Sequence, residues 1–356
     1  MSLSGAQKTR GAISNPAGRF EKHCVVATSD GWSAPEPGRA QPPTVRAEPA
    51  RKIISTNRSP DIPFEQSINP YRGCEHGCAY CYARPTHAWL NLSPGLDFET
   101  QISYKENAAE LLEEELSRPD YQCKPITLGA NTDPYQPAEK STGITRQLLE
   151  LFDRYSHPVN LITKGGLVTR DLDLLASLAS RGLCSVAISL PTMDAGLKRI
   201  MEPRVPSAEI RLKAITTLTN AGVPVSVLMA PLIPAINDTE IEDVLETVAG
   251  AGASHAHYIF LRLPHEVRDI FVEWLDEHFP ERAKRVMSLI RQASGGRDYD
   301  NRFGRRQTGQ GAYADMLRKR FNSACRRHGL RPDHYQQRLA SDLFARPGQQ
   351  QLGLNL

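Results

Sequence analysis

Three cysteines lie close together on one short stretch of the chain, and their spacing is its most informative feature. Cys74, Cys78 and Cys81 follow the pattern Cys-x3-Cys-x2-Cys. Three thiolates on one loop can ligate three irons of a cubane iron–sulfur cluster. The fourth iron then has no protein ligand in this motif, so it can bind a small molecule and pass it an electron. These residues therefore indicate redox chemistry at an iron–sulfur cluster with one open iron.

A zinc site is the alternative interpretation of the same residues. Structural zinc takes four Cys or His ligands, usually in two pairs. Cys78 and Cys81 can form one pair, and Cys74 with His76 or His87 can complete the set. No second Cys-x2-Cys pair follows in the sequence, which weakens this interpretation.

The cysteines as a whole do not suggest disulfides. There are seven of them, an odd number, scattered along the chain, and no stretch resembles a secretory signal. We therefore expect a reducing compartment, the cytoplasm. No apolar run approaches the length that crosses a bilayer, so no membrane association is expected.

Charge is distributed unevenly over the 356 residues, whose net charge is +3. Residues 1–60 carry 9 Lys and Arg against 4 Asp and Glu, and residues 291–331 carry 11 against 3. Basic segments beside an acidic centre suit a polyanionic partner such as nucleic acid. Solvated arms that balance the acidic centre are an equal alternative.

The sequence divides into three regions. Residues 1–52 are rich in Gly, Ala, Pro and Arg without periodicity, which predicts a leader that is disordered or loosely draped over the domain. Residues 53–280 form the predicted core domain. Residues 281–356 form a predicted basic, helical C-terminal extension.

Short β-branched runs alternate with amphipathic helical stretches through the core. The predicted strands cover 126–128, 159–163, 185–189, 223–228 and 258–261, with a sixth leading into Cys74. The predicted helices cover 108–116, 143–155, 169–180, 207–221, 238–251 and 265–277. This alternation indicates α/β structure made of parallel βα units, either a partial barrel or a doubly wound sheet. Because functional loops of such folds follow the strands, the cysteine loop and the turns after the other strands should meet at one rim.

Residues 64–264 resemble a radical S-adenosylmethionine (SAM) domain. Within that superfamily they are similar to bacterial proteins related to spore photoproduct lyase, often labelled DNA repair photolyases. The resemblance rests on residues 74–82, 131–137 and 202–207. It implies a partial (βα)6 TIM-type barrel, in agreement with the six predicted strands.

The resemblance also implies cofactors and a mechanism. Cys74, Cys78 and Cys81 would ligate a [4Fe-4S] cluster whose open iron chelates SAM. An electron from a donor such as flavodoxin or ferredoxin would cleave SAM to methionine and a 5′-deoxyadenosyl radical, which abstracts hydrogen from a substrate. The protein would position the reactants and exclude water and oxygen.

The resemblance implies roles in SAM binding for four positions near the motifs. Tyr80 is placed near the adenine, with ordinary packing as the alternative. Asn131, Thr132 and Asp133 occupy the place of the family's Gly-Gly-Glu segment, which holds the amino group of SAM. Because this chain departs from Gly-Gly-Glu, the residue that does so stays open, and a turn with a helix cap is the alternative.

Five further positions follow from the same resemblance. Ser189 is placed to contact the ribose, and Lys164 the cofactor or the substrate. Arg204 or Arg211 can pair with the SAM carboxylate, for which a guanidinium is suited. Ile233 matches an apolar contact to adenine, although core packing explains it equally well.

The substrate stays open at this level. The resemblance leads us to expect a hydrogen-returning cysteine in the loop after strand two, but Ala130 or Asn131 stands there, so thymine-dimer repair by that route is not expected. Radical chemistry on nucleic acid, radical modification of a protein or small metabolite, and a non-catalytic zinc module that binds nucleic acid are the three readings.

The C-terminal extension has two interpretations as well. Its Arg-rich turn at 302–313 and the basic helix predicted at 316–328 can close the open barrel and bind a phosphate backbone, with Phe303 and Tyr313 stacking on bases. A helical cap without a ligand is the alternative.

Overall fold

The structure is a computed structural model that describes residues 9–21, 42–332 and 339–347. Its strands are β1 Thr44–Glu48, β2 Ile54–Thr56, β3 Gln66–Ile68, β4 Tyr71–Arg72, β5 Gln101–Lys105, β6 Ile126–Leu128, β7 Val159–Thr163, β8 Cys184–Ser189, β9 Val225–Leu232 and β10 His255–Phe260.

The α-helices begin with α1 Asp97–Thr100, α2 Ala108–Ser117, α3 Glu139–Thr142, α4 Ile144–Arg154, α5 Leu172–Ser180 and α6 Ala195–Met201. They continue with α7 Ala208–Asn220, α8 Ile241–Gly250, α9 Val267–His278, α10 Pro280–Ala293 and α11 Gly311–Arg327. Short 3-10 helices cover Arg84–Leu90, Gly166–Asp171 and Asp238–Glu240. Among the described residues, no helix is long and apolar enough to cross a membrane.

The main sheet is an open, curved barrel wall. Its strand order is β10-β9-β8-β7-β6-β3-β2. Six of these strands pair in parallel, namely β3, β6, β7, β8, β9 and β10. Strand β2 pairs with β3 antiparallel at one end of the sheet. The parallel strands follow one another in chain order without the reversal that defines a doubly wound sheet. The predicted partial (βα)6 barrel is therefore confirmed, and its six strands are those that the sequence indicated.

Hydrophobic periodicity explains why the helices cover this wall. On α4, Leu148, Leu149 and Phe152 are fully buried, while its polar residues other than Thr145 are at least partly exposed. The same division holds for α8, which buries Val244, Leu245 and Val248. These stripes pack on the outer face of the sheet and form its main apolar core.

Several elements differ from the sequence expectation. A second sheet of order β1-β5-β4 and the helix α6 were not predicted. Strand β1 is mostly exposed, so it carries no alternating apolar pattern that would reveal it. Its partner is β5, and the pairing contacts join residues 57 positions apart in sequence, such as Thr44 and Gln101.

The described parts of the leader lie against the domain. Residues 9–21 include the buried Ala12, and residues 44–48 form β1. The leader was predicted to be either disordered or draped over the domain, and these two stretches are draped over the domain. The rest of the predicted disordered leader, residues 1–8 and 22–41, lies outside the described residues. The boundaries at 52 and 280 remain predictions.

The C-terminal extension covers the edge of β10. The Phe260 amide donates to the Gln307 carbonyl at 2.7 Å, and the Ala256 amide donates to the Arg331 carbonyl at 3.0 Å. Helix α11 packs on α8 and buries Leu317 and Phe321. This position is that of a helical cap on the barrel edge, while binding of a phosphate backbone there remains a prediction.

Candidate radical SAM active site

The cysteine loop follows β4 and is held by backbone geometry that favours glycine. Gly73 and Gly77 have φ angles of +76° and +64°. A Cβ atom on Gly77 would lie 2.6 Å from the Glu99 carboxylate. Both positions therefore require glycine for conformation and, at Gly77, also for space.

A buried arginine fixes the middle of the loop. Arg84 is fully buried and donates twice to the Cys78 carbonyl, from Nε at 3.0 Å and from Nη2 at 2.8 Å. The same guanidinium binds the Glu99 carboxylate at 2.5 Å and the Gly95 carbonyl at 2.8 Å. Since the fork is planar and multiply bonded, it locks the backbone that carries the cysteines.

The described leader segment packs on the outside of this loop. The amides of Gly11 and Ala12 donate to the Glu99 carboxylate at 3.1 and 2.8 Å. A Cβ atom on Gly11 would lie 1.7 Å from the Gly77 carbonyl oxygen. The segment is thus in direct backbone contact with the cysteine loop and shares its carboxylate anchor, Glu99, with Arg84.

All three cysteines line one open cavity at the mouth of the barrel, with about 940 Å³ of empty space. They lie at the C-terminal ends of the strands, as predicted. Its wall also includes the following side chains from the C-terminal ends of β8 and β9 and from the loops after β6, β7 and β10: Asn131, Asp133, Lys164, Ser189, Pro231 and Arg262. The fold therefore gathers onto one rim residues spread over nearly 190 positions of sequence.

The thiols fit a cluster better than a single ion. Among the described residues, no three Cys, His, Asp or Glu side chains converge closely enough to share one metal ion. Ligand atoms around one zinc ion lie about 4 Å apart, given its tetrahedral geometry. The corners of a cubane stand further apart, and three soft sulfur donors on one wall suit iron–sulfur ligation.

Burial keeps the metal-free thiols protonated. It raises the pKa of Cys74 well above its usual value, and the charge of Asp133 adds to the shift. Burial also raises the pKa of Cys78 and of Cys81. Binding of iron at these sulfurs would displace the thiol protons, as metal binding does in general.

A buried carboxylate, Glu202, connects four of the residues for which SAM contacts were predicted. It accepts hydrogen bonds from the Tyr80 hydroxyl and, at 2.9 Å, from Arg211 Nη1. Lys164 Nζ lies 3.3 Å from Glu202 Oε1 and donates to Ser189 Oγ at 2.6 Å. Tyr80, Lys164 and Ser189 line the cavity, whereas Glu202 holds them from behind.

Electrostatics keeps Glu202 ionised despite its full burial. Burial alone would raise its pKa, but the charges of Arg211 and Lys164 and the hydroxyl of Tyr80 lower it overall to about 2. Glu202 lies in the stretch 202–207 that carried the resemblance, but no site role was predicted for it. The sequence around Glu202 gives little sign of this role, because the three residues that contact its carboxylate, Tyr80, Lys164 and Arg211, lie on other elements.

Asp133 is the centre of a second network on the same wall. It accepts hydrogen bonds from Thr163 Oγ1 at 2.6 Å and from the Lys164 amide at 2.7 Å. His76 Nδ1 lies 3.3 Å from Asp133 Oδ2. Burial alone would raise the Asp133 pKa, but the charge of His76 and these donors lower it overall. Asn131 lies beside Asp133 in the cavity wall, and its backbone amide donates to Asn69 Oδ1 at 2.8 Å.

Four predicted residues lie behind the cavity wall. Thr132 is buried and donates to the Tyr71 carbonyl at 2.8 Å. Arg204 pairs with Glu75 at 2.8 Å, and Arg211 is occupied by Glu202. Ile233 packs in an apolar cluster with Ala79 and Tyr80. Their cofactor roles remain predictions, and in this structure the apolar wall near β9 is formed instead by Leu228, Ala230 and Pro231.

A second cavity continues from the first into the barrel, with about 1250 Å³ of empty space. We call it the barrel cavity. Tyr82, Ala130 and Arg262 belong to the walls of both cavities. The Arg262 guanidinium lies 5.0 Å from the centre of the Tyr82 ring. Tyr82 and Arg262 were not predicted as site residues; the position of Tyr82 directly after Cys81 was the signal available in sequence.

Comparison with known proteins identifies the family of this chain. The model of the radical SAM superfamily matches residues 68–248, half of the chain. An uncharacterised protein of Mycobacterium tuberculosis is 36% identical over 275 residues, which cover 77% of each chain. The chain belongs to the radical SAM superfamily.

Comparison with further proteins, including solved structures, identifies the fold. An uncharacterised protein of Methanocaldococcus jannaschii is 28% identical over 65% of this chain and 82% of its own. Solved structures of spore photoproduct lyase variants superpose with TM-scores of 0.57 to 0.58 at 15–16% identity, over 81% of this chain and 80–81% of theirs. One of them holds AdoMet and a dinucleoside spore photoproduct. The fold is therefore that of spore photoproduct lyase, and the superfamily defines a SAM-dependent radical enzyme.

Proposed function

We propose that this enzyme holds a [4Fe-4S] cluster on Cys74, Cys78 and Cys81, binds SAM in the cavity beside them and acts on a nucleic acid in the barrel cavity. One observation carries the proposal. The three thiols open onto a cavity that shares the walls Tyr82, Ala130 and Arg262 with a second one. A SAM-sized molecule and a substrate can therefore lie side by side.

The cluster, when bound, supplies the electron that cleaves SAM and so generates a 5′-deoxyadenosyl radical for hydrogen abstraction. The residues of the chain bind and orient. Lys164, Ser189 and Tyr80 present polar and aromatic groups to the cavity, and Glu202 fixes them from behind. Asp133 keeps its carboxylate ionised in the same wall. Such preorganised groups need no rearrangement when the cosubstrate arrives.

The lining of the barrel cavity supports a nucleobase as the reacting group. Most of its polar side chains are amides and hydroxyls, including Ser67, Asn69 and Asn160; His257 adds an imidazole, and none of the described residues that line it is Asp or Glu. Neutral donors and acceptors of this kind match the edges of heterocyclic bases. Arg262 adds one positive charge at the junction of the cavities. The loop after β6 still offers Ala130 and Asn131 where a hydrogen-returning cysteine was expected, so that route is not part of the proposal.

The test is anaerobic reconstitution with iron and sulfide, followed by reduction in the presence of SAM. We expect about four irons per chain and formation of 5′-deoxyadenosine, given the cluster type. Cys78→Ala should abolish 5′-deoxyadenosine. Cys123→Ala is the matched control, because Cys123 lies outside the cavity wall, and it should retain the product.

Three results would contradict the proposal, in whole or in part. Product formation that persists in Cys78→Ala would remove the cluster assignment. Protein that is colourless and contains zinc after oxygen-free purification would favour the zinc module instead. Reconstituted enzyme that modifies a protein or a metabolite, but no DNA or RNA, would remove the nucleic-acid assignment alone.

A further inference from the structure

We propose that a polar pocket beside the barrel mouth, bounded by Arg72, Lys105 and Trp89, binds a phosphate and an adjoining base of a polynucleotide strand whose reacting nucleotide occupies the barrel cavity. We call it the flank pocket. The inference rests on the proposed function, because it names how the same substrate is held outside the reacting centre.

The position of the flank pocket makes it an extension of the substrate path. It has about 810 Å³ of empty space. Asn69 belongs to its wall and to that of the barrel cavity, and Asn131 belongs to both of these and to the cavity beside the cysteines. The amide of Asn131 is fixed by Asn69, as described above. A chain-like ligand can therefore pass over these two asparagines from one pocket to the other.

The charge of the flank pocket suits an anion. Two cations, Arg72 and Lys105, line it, and none of its lining residues is Asp or Glu. Arg72 pairs with Glu48 at 2.9 Å, outside the lining, whereas Lys105 makes no ion pair among the described residues. Burial and the charge of Arg72 lower the pKa of Lys105, and the charge of Glu48, its neighbour on β1, offsets only part of this shift. A phosphate between the two cations would relieve this repulsion.

The aromatic side of the pocket suits a base. The side chain of Trp89 is 71% exposed, an unusual degree for a tryptophan. It stands against Phe20 with ring centroids 4.3 Å apart, and Arg19 lies 6.0 Å from its ring centre. The ring is therefore supported yet open to solvent, as in the stacking platforms of single-strand binding proteins.

Hydroxyl groups complete the recognition of a backbone. Ser55 and Thr86 are exposed and belong to the lining of the same pocket. Hydroxyl side chains commonly donate to phosphate oxygens and fix the register of a strand. An acidic peptide would satisfy the two cations but would leave the exposed face of Trp89 without a stacking partner, so the combination favours a nucleic-acid strand.

The experiment measures strand binding by the cluster-reconstituted full chain under anaerobic conditions. Fluorescence anisotropy follows a labelled single-stranded oligodeoxynucleotide and, in parallel, RNA of the same sequence. We expect Trp89→Ala to weaken binding roughly fivefold or more, because a stacked base is lost. Lys105→Gln should weaken binding and reduce the slope of log affinity against log salt by about 0.7, because one phosphate contact is lost. Lys213→Gln, an exposed charge on α7, is the control and should match the wild type.

The outcomes separate this inference from the proposed function. Wild-type affinity in both Trp89→Ala and Lys105→Gln, with unfolding curves like the wild type, would overturn the inference. Displacement of the oligonucleotide by poly-glutamate at equal charge would also overturn it, in favour of an acidic protein. Weaker binding in these two variants, with wild-type binding in Lys213→Gln, would support the inference. The strand that binds more tightly would show whether the ligand is DNA or RNA. Failure of the wild type to form 5′-deoxyadenosine would instead refute the proposed function, whichever way the binding results fall.

Discussion

Arg306 and Asp61 form an ion pair across the opening of the barrel. Arg306 Nε lies 2.8 Å from Asp61 Oδ2, and Nη2 lies 2.6 Å from Oδ1. Asp61 stands between β2 and β3, at one end of the sheet. The next residue, Gln307, accepts the amide of Phe260 in β10, at the other end. Two neighbouring residues of the extension thus connect both edges of an incomplete barrel.

We expect Asp61→Asn to lower the free energy of unfolding by about 1–2 kcal/mol, since a bidentate charged pair becomes a neutral contact. Denaturant titration at neutral pH measures the change. Burial alone would raise the Asp61 pKa, but hydrogen bonds from Arg306 and Ser59 lower it overall. The stabilisation is therefore present above the unfolded-state pKa and is lost as the pH falls through the folded-state value.

Asp120→Asn is the control for that measurement. Asp120 also pairs with an arginine, Arg118 at 3.0 Å, but the pair is exposed. Its loss should leave the stability close to that of the wild type, because solvent screens an exposed ion pair. Equal effects of the two substitutions would argue that the barrel opening gains nothing from Arg306.

Glu202→Gln tests the carboxylate behind the candidate SAM site. The change leaves the buried Arg211 without its counter-ion, and removal of one partner of a buried pair costs about 3–5 kcal/mol. Because the Glu202 pKa is lowered to about 2, its stabilisation holds above the unfolded-state value and fades as the pH falls towards 2. Unfolding of the variant and of the exposed control Glu209→Gln, on α7, measures this difference. Similar stability of the two variants would show that Glu202 is dispensable.

Arg84→Lys tests the clamp on the cysteine loop. Lysine keeps the charge but cannot reproduce the planar fork that reaches the Cys78 and Gly95 carbonyls together. We expect a loss of at least about 2 kcal/mol in unfolding free energy, since buried carbonyls lose their donors. Less iron per chain should follow after reconstitution. Arg118→Lys, at an exposed position, should change neither quantity, and unaltered stability of Arg84→Lys would contradict the clamp.

Gly11→Ala tests the contact between the leader and the cysteine loop. The added Cβ would lie 1.7 Å from the Gly77 carbonyl, so residues 9–21 must shift. We expect proteolysis within this segment to become about tenfold faster, as local opening becomes easier. Gly18→Ala meets its nearest neighbour, Ala88, at 3.1 Å and serves as the milder control in the same segment. Equal cleavage rates for the two variants and the wild type would rule out the contact in solution.

The βα order and the cysteine loop were predictable because both depend on local information. Alternating β-branched runs and apolar helical stripes mark the six strands and most helices, such as α2 and α8. The spacing of Cys74, Cys78 and Cys81 identifies their chemistry without any contact to distant residues. The exposed strand β1 lacks such a signal, because no apolar face has to be buried.

The composition of the site was only partly predictable, because networks join residues that are far apart in sequence. Tyr80, Lys164 and Arg211 were singled out one by one, but their common partner Glu202 was not. The flank pocket could not be predicted at all, since Arg72, Trp89 and Lys105 meet only through the pairing of β4 with β5 and the helical turn between them.

The sequence by itself determined the spacing of the three cysteines, the order of strands and helices and the superfamily resemblance, since periodicity and motif spacing are properties of neighbouring residues. Tertiary structure decided which charges are neutralised. Arg211 and Arg204 look like free cations in sequence, yet folding pairs each with a carboxylate, whereas Lys105 makes no ion pair among the described residues. The physical reason is that the cost of burying a charge depends on every group brought near it, which no local pattern records.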